Sequence, residues 1–200
     1  MTVAGVLLAS GQHAALSEHQ QLLMWDQQET LLEHVMSQML TWPVDERIVV
    51  LGHDADAVIS AVDFEGFTIV VDFDWHLGAM SSLSAALDHL MRRTGPPAAV
   101  LVTHADQAET PLAAIDELLA AEGSLVVAPV YRYQRGYPLL IRSGFWDRLM
   151  SADVSTELLR IIETAPDVSD VRIDALPARR IDSDRALALA RPDKKSEKPH

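Results

Sequence analysis

The distribution of apolar and polar residues along the chain predicts buried strands alternating with amphipathic helices. Residues 3–8 form a short apolar run, typical of a parallel strand that is buried on both faces. Helical spacing first appears over residues 31–40, where six apolar residues share one face: Leu31, Leu32, Val35, Met36, Met39 and Leu40. The intervening loop of about 18 residues is long for an α/β connection, which favours a functional role for it.

The same alternation continues through the chain. Further strands are predicted at residues 47–51, 67–71, 98–102 and 124–128. A short helix is predicted to end at residue 61, and longer helices are predicted at 81–93 and 111–121. We expect Ser81 or Ser82 to cap the helix at 81–93, and Pro111 to occupy the first turn of the next one. These elements predict a three-layer α/β/α, Rossmann-like fold with a mainly parallel sheet.

The pattern changes after Pro129. A turn at residues 131–138 is predicted to join two strands, the second at 139–141. Helices at 145–150 and 155–163, a late strand at 171–173 and a last helix at 184–190 complete the predicted elements. We therefore expect one domain over residues 1–190, followed by a polar tail at 191–200 that has no surface to bury.

Composition narrows the functional classes. Among 200 residues, 29 acidic and 16 basic side chains give a net charge of −13, which disfavours binding to nucleic acid. The chain has no cysteine, and therefore no disulfide and no thiolate metal site. No signal peptide or membrane-length apolar run is present, so the expectation is a cytoplasmic protein without membrane contacts.

Small and acidic residues follow the predicted strands at positions suited to a ligand. Ser10 and Gly11 end the first strand, and small residues there let a phosphate or nucleobase approach the backbone. Asp106 follows the strand at 98–102, at the carboxyl edge where open α/β sheets bind ligands. Its carboxylate suits Mg2+, although a loop aspartate or a helix cap is an equally good interpretation from position alone.

Several motifs together resemble those of a known family. They are Leu8-Ala9-Ser10-Gly11, Thr30-Leu31-Leu32-Glu33-His34-Val35, Asp74-Trp75 with Gly78 through Ser81-Ser82-Leu83, Asp106-Gln107, and Gly136-Tyr137-Pro138. These stretches resemble the MobA-like nucleotidyltransferases, and within them the molybdenum cofactor cytidylyltransferases. The resemblance spans residues 3–190.

The resemblance implies a set of site residues. It implies nucleotide binding by Leu8, Ala9, Ser10, Gly11, Gly78, Ser81 and Ser82, and acceptor binding by Gly136, Tyr137 and Pro138. It also implies that Asp106 is catalytic and holds Mg2+, with Asp182 as a second metal ligand. For Asp182, a cap on the last helix, a role that Ser183 could equally fill, is the alternative. The serines at 81 and 82 could likewise belong to an ordinary capped helix.

The implied activity is transfer of a nucleotidyl group from an NTP, with CTP favoured, to a phosphorylated acceptor of the molybdopterin type. The first loop, however, departs from the family pattern L-A-A-G-x-S-x-R-M-G-x-x-K-L-L. Ala15 replaces the arginine, Leu16 the methionine, Ser17 the glycine and Gln20 the lysine. Because charged donors hold phosphates more strongly than neutral ones, this loop is degenerate for triphosphate binding.

Two hypotheses follow from the altered loop. In the first, the protein is an active Mg2+-dependent transferase in which another cation covers the phosphates. In the second, it is a catalytically impaired relative that binds nucleotide or pterin, or a partner protein in the maturation of molybdenum enzymes. Arg132 and Arg135 are candidate cations in the first case, although solvated arginines in a turn are the commoner situation.

Overall fold

The computed structural model describes residues 1–12 and 20–191. Its strands are β1 (Val3–Ala9), β2 (Glu46–Leu51), β3 (Thr68–Val71), β4 (Ala99–His104), β5 (Gln107–Ala108), β6 (Val126–Tyr131), β7 (Gln134–Arg135), β8 (Leu139–Arg142), β9 (Val168–Ile173) and β10 (Arg179–Arg180). Its α-helices are α1 (Leu31–Leu40), α2 (Ala55–Ala61), α3 (Ala79–Met91), α4 (Leu112–Ala120), α5 (Trp146–Met150), α6 (Leu158–Glu163) and α7 (Asp184–Ala190).

Eight strands form the central sheet, in the order β3-β2-β1-β4-β8-β6-β7, with β9 beside β6. Strands β3, β2, β1 and β4 run parallel to one another, whereas β8 is antiparallel to both β4 and β6. Strand β9 is again parallel to β6. The sheet is therefore mostly parallel, as the sequence predicts.

Two hydrophobic clusters cover the two faces of this sheet. Along β1, Val3 and Leu7 belong to one cluster and Val6 and Leu8 to the other, because neighbouring side chains of a strand point to opposite faces. Helices α1, α2, α4 and α7 contribute to the first cluster, and α3, α5 and α6 to the second. This arrangement confirms the predicted three layers.

Residues 20–30, which precede α1, are held by contacts among themselves. A 3-10 helix spans Gln20–Leu22, and Met24 forms an isolated antiparallel bridge with Thr30. Thr30 then caps α1 in a reciprocal capping box with Glu33. The replacements at Ala15, Leu16 and Ser17, and the predicted tail beyond residue 191, lie outside the described residues.

Some predicted boundaries were wrong. Helix α3 begins at Ala79 with Gly78 as its N-cap, so neither Ser81 nor Ser82 is the cap. Gly78 has φ of 110°, a conformation that favours glycine. The helix predicted from residue 155 begins only at Leu158, and the two-stranded sheet of β5 and β10 was not predicted. Ser183 caps α7 by accepting a hydrogen bond from the Ala186 amide.

Within residues 1–12 and 20–191, no helix has the length and apolar character needed to cross a membrane.

Candidate functional site

A cleft of about 420 Å³ opens at the carboxyl ends of β1 and β4, bounded by the start of α3, by residues 154–159 and by β10. Six of the predicted site residues line it: Leu8, Ser10, Gly11, Gly78, Asp106 and Tyr137. Six other predicted residues do not line the cleft themselves, namely Ala9, Ser81, Ser82, Gly136, Pro138 and Asp182. Parallel strands place their ligand-binding loops at this edge, so the location follows from the topology.

A buried hydrogen-bond chain supports Ser10 from behind the cleft. Asp72 is 5% exposed, and its carboxylate accepts hydrogen bonds from the hydroxyls of Ser81 (3.0 Å) and Ser82 (2.8 Å) and from the Asp74 amide (2.9 Å). The Ser82 hydroxyl also lies 2.5 Å from that of Ser10. Ser81 and Ser82 therefore lie within the first turn of α3 and bind Asp72 instead of capping the helix.

The direction of this chain is fixed by its buried end. A carboxylate can only accept, and a serine hydroxyl has a single proton to donate. Since Ser82 donates its proton to Asp72, Ser10 must donate to Ser82. The Ser10 oxygen therefore keeps free lone pairs but has no free proton. It can accept a hydrogen bond from a ligand in the cleft but cannot donate one.

Gly52 makes room for the wall of the cleft that Trp75 forms. A Cβ atom at Gly52 would lie 2.4 Å from the Trp75 Cβ and 2.8 Å from the Ser10 Cβ. His53 also packs edge-on against the Trp75 ring, with centroids 4.9 Å apart. No local sequence pattern marks Gly52, because the requirement for glycine arises only from this close approach.

Asp106 lies at the centre of the cleft, with its side chain only 10% exposed. The Gln107 side-chain amide donates to its Oδ1 over 3.3 Å. The Arg180 Nε lies 3.4 Å from the Asp106 Oδ2 and 3.5 Å from the Asp182 Oδ2. The two carboxylates predicted as metal ligands are therefore joined by a guanidinium.

The backbone holds Arg180 in this position. Strand β10 pairs antiparallel with β5 so that Arg180 is opposite Gln107, and the Ile181 amide donates to the Asp106 carbonyl over 2.8 Å. On its other side, the Gln20 side-chain amide donates to the Ile181 carbonyl over 3.1 Å. Gln20, which stands where the family has lysine, is thus a buried structural residue that supports the strand carrying Arg180.

The neighbouring Gln21 has a similar structural role. Its side-chain amide donates to the carbonyls of Ala9 (2.6 Å) and Gly11 (2.9 Å). These bonds hold the end of β1 in place beside the cleft. Within residues 1–12 and 20–29, the loop presents no lysine or arginine to a ligand.

Tyr137 provides a protonated hydroxyl to the opposite wall. Burial raises the pKa of Tyr137 above its ordinary value of 10.0, and the negative charges of Asp106 and Glu157 raise it further, against a smaller opposing effect of Arg180. Its ring meets that of His104 edge-on at 4.5 Å, and its carbonyl accepts a hydrogen bond from the Tyr131 hydroxyl. Tyr137 therefore stays neutral at physiological pH.

The two arginines suggested by the sequence lie elsewhere. Arg135 forms an ion pair with Asp170 at 2.6 Å on β9, and neither Arg132 nor Arg135 lines the cleft. Among the described residues that line it, Arg180 is the one lysine or arginine. Sequence reasoning missed Arg180 because its approach to Asp106 arises from the pairing of β10 with the distant strand β5.

Asp106 and Asp182 could together hold a divalent cation if the Arg180 guanidinium left the space between them. Mg2+ is commonly held by one or two carboxylates together with substrate phosphates. Asp106 and Asp182 meet that requirement once Arg180 turns away, which its 62% exposed side chain permits. Among the described residues, no cluster of three or more histidine or acidic side chains forms a metal site without help from a ligand.

Comparisons with known proteins agree with this fold. The model of the MobA-like NTP transferase domain matches residues 5–170. Nicotine blue oxidoreductase of Paenarthrobacter nicotinovorans is 32% identical over 154 residues, which cover 71% of this chain and 72% of that protein.

Solved structures give the same result. The crystal structure of a Mycobacterium tuberculosis rv0371c homologue from Mycobacterium sp. strain JC1 has a TM-score of 0.83 and 29% identity, covering 94% of this chain and 96% of that chain. Rv0371c of Mycobacterium tuberculosis H37Rv, solved in complex with manganese, has a TM-score of 0.77 at 19% identity, covering 96% of this chain and 98% of that chain. At that identity the second comparison shows the fold alone.

The fold is that of a nucleotidyltransferase-like α/β protein. The chain belongs to the MobA-like NTP transferase family.

Proposed function

We propose that the cleft binds a nucleoside triphosphate and that the protein transfers its nucleotidyl group to a phosphorylated acceptor. The observation that carries this proposal is the convergence of Ser10, Gly11, Gly78, Asp106 and Tyr137 on one cleft at the carboxyl edge of the sheet. These residues come from four separate parts of the chain, and each part resembles the corresponding family motif. CTP is the proposed donor and a molybdopterin-type phosphate the proposed acceptor.

The proposed roles follow the positions of the residues. The end of β1 (Leu8, Ala9, Ser10 and Gly11) and the start of α3 (Gly78, with Ser81 and Ser82 behind it) bind the nucleotide. The turn of Gly136, Tyr137 and Pro138 binds the acceptor, with the neutral Tyr137 hydroxyl as a donor. An oxygen of the acceptor phosphate attacks the α-phosphorus, and the bond from that phosphorus to the leaving pyrophosphate breaks.

Asp106 is the proposed catalytic residue, because its carboxylate would hold Mg2+. Asp182 is the proposed second ligand of the ion. A divalent ion bound there would neutralise charge on the α-phosphate and the leaving pyrophosphate. Support for a divalent ion comes from the two carboxylates and from the manganese complex of Rv0371c. The identity of the ion as Mg2+ is part of the proposal.

A second candidate function has its own support. The described part of the first loop has no cation, and Gln20 is committed to the Ile181 carbonyl. These observations favour a catalytically impaired relative that binds nucleotide or pterin, or acts as a partner in molybdoenzyme maturation. The Paenarthrobacter relative is named an oxidoreductase, so similar sequences carry names of different reactions.

Two measurements distinguish the candidates. Calorimetric titration with molybdopterin and with CTP, GTP, ATP and UTP, each with Mg2+, measures binding, and a pyrophosphate-release assay with molybdopterin measures transfer. CTP binding with release of pyrophosphate supports the transferase. CTP or pterin binding without release supports the impaired relative, and absence of binding by any nucleotide contradicts the nucleotide site altogether.

A further inference from the structure

The described part of the first loop has no positive charge, but Arg180 on strand β10 brings one to the same cleft. Gln20 stands in place of the family's lysine, and its side-chain amide binds the carbonyl of Ile181. Arg180, the preceding residue, lines the cleft. The position where the family has lysine is therefore neutral in this chain, and it is hydrogen-bonded to the residue beside the arginine of the cleft.

The position of Arg180 is built into the backbone. The pairing of β10 with β5 fixes Arg180 opposite Gln107, and the Ile181 amide and carbonyl are both hydrogen-bonded, to Asp106 and Gln20. The side chain itself is 62% exposed, and its guanidinium lies within 3.5 Å of Asp106 and Asp182. A fixed backbone with an exposed side chain lets the guanidinium exchange partners without disturbing the fold.

We propose that Arg180 is the phosphate-binding cation of this cleft, which Asp106 and Asp182 hold in place until a polyphosphate ligand arrives. This inference rests on the proposed function, since it names the residue that binds the phosphates of the nucleotide. Arginine suits the role because its planar guanidinium donates two parallel hydrogen bonds to phosphate oxygens.

The exchange of partners is physically accessible. The pair of Arg180 with Asp182 is solvent-exposed and worth little, because water and salt screen it. The contact with the mostly buried Asp106 spans 3.4 Å, longer than the about 2.7–2.9 Å of a strong charge-assisted hydrogen bond. The tri- or diphosphate brings more negative charge and more acceptor oxygens than a carboxylate, which favours transfer of the guanidinium to the ligand. When the guanidinium leaves, the two carboxylates become available to a divalent cation.

The test compares Arg180→Ala with the wild-type protein by calorimetry, using inorganic tripolyphosphate, CTP and cytidine as ligands in the presence of EDTA. We expect Arg180→Ala to weaken the binding of tripolyphosphate and CTP by about tenfold or more, and to leave cytidine binding unchanged. Arg180→Lys, which keeps the charge but not the planar fork, should retain part of the affinity.

The neighbouring arginine provides a matched control. Arg179 precedes Arg180 on β10, is exposed and pairs with Glu109 at 2.8 Å outside the cleft lining. Arg179→Ala removes the same charge and should leave binding of all three ligands unchanged. Circular dichroism of each variant checks that it is folded, and Arg180→Gln serves as the uncharged variant if alanine at this position does not fold.

The outcomes separate this inference from the proposed function. Wild-type binding of tripolyphosphate that is lost in Arg180→Ala but kept in Arg179→Ala supports the inference, even when no pyrophosphate is released from CTP. Equal tripolyphosphate binding in Arg180→Ala and wild type overturns it, even when the wild type is an active transferase. Failure of the wild type to bind tripolyphosphate also overturns it.

Discussion

The Ser10 hydroxyl donates a hydrogen bond to the Ser82 hydroxyl, which in turn donates to the buried carboxylate of Asp72. The Ser10 oxygen in the cleft is therefore an acceptor. In the proposed complex, in which the end of β1 binds the nucleotide, an acceptor that faces the base would favour one with an exocyclic amino group, such as cytosine, over one with a carbonyl there, such as uracil.

Asp72→Asn tests this polarity. An asparagine amide both donates and accepts, so the direction of the chain from Ser10 is no longer fixed. We expect the ratio of CTP to UTP affinity to fall about fivefold, which corresponds to roughly 1 kcal/mol for one neutral hydrogen bond. Calorimetry with both nucleotides measures the ratio. Asp74→Asn, at an exposed neighbouring carboxylate, is the control, and an unchanged ratio in Asp72→Asn would contradict the assignment.

Asp106→Asn tests the proposed metal ligand. The amide keeps the size of the carboxylate but loses the charge that attracts a divalent cation, so Mg2+ should no longer increase CTP affinity. The fold should persist because the backbone pairing of β5 with β10 is untouched. Titrations with and without Mg2+ provide the measurement, and Glu109→Gln, which removes a nearby charge outside the cleft, is the control. A Mg2+ effect of wild-type size in Asp106→Asn would exclude this residue as the ligand.

Restoring a loop cation tests the impaired-relative hypothesis. Because Gln20 is buried against Ile181, the variant that tests the loop is Ala15→Arg alone, which leaves that bond intact. It should raise CTP affinity about tenfold or more, since a charged hydrogen bond is worth roughly 1.5–3 kcal/mol. Gln27→Arg adds the same charge at an exposed position beyond the cleft and serves as control. A wild type that already releases pyrophosphate briskly, and is unaffected by Ala15→Arg, would argue against an impaired loop.

Gly52→Ala tests the packing of the cleft wall. The new Cβ would lie 2.4 Å from the Trp75 Cβ, so Trp75 and Ser10 must move apart. Overpacking of this kind destabilises a protein by about 1–3 kcal/mol, and we expect a lower Tm together with weaker nucleotide binding. Gly11→Ala is the control for stability, because no atom lies within 4 Å of its added Cβ. Equal Tm values for the two variants would contradict the close packing at Gly52.

Tyr137→Phe tests the effect of burial on alkaline stability. Because the folded state raises the pKa of Tyr137, and that of Tyr131 to about 12, both tyrosines favour folding while protonated. This contribution is complete below the ordinary value of 10.0 and is lost as the pH rises above it. The free energy of unfolding from urea titrations should thus fall less steeply above pH 10 in Tyr137→Phe than in the wild type. Parallel curves would contradict the raised pKa.

The sheet and its flanking helices were predictable because their patterns are local. The apolar runs that became β1, β2 and β4 are buried on both faces, and the spacing within α1 marks its inner side. The motif residues Ser10, Gly78 and Asp106 could also be placed at one edge of the sheet, since parallel strands bring their carboxyl ends together.

The missing features all depend on contacts between distant parts of the chain. Strands β5 and β10 have two residues each, too few to show a periodicity. Ser81 and Ser82 were mistaken for caps because their true partner, Asp72, lies on the preceding loop. The role of Arg180 depends on its pairing with a strand more than seventy residues earlier in the sequence, a relationship that no local pattern records.

The pairing of β10 with β5 also has a consequence for the order in which the protein is made. The cleft is lined by residues of β1, α3, β4 and the segment 154–159, whereas Arg180 lies on β10, which follows all of these in the sequence. On the ribosome, Asp106 therefore emerges before the guanidinium that pairs with it. A chain interrupted between β9 and β10 would present the Asp106 carboxylate to the cleft without this guanidinium.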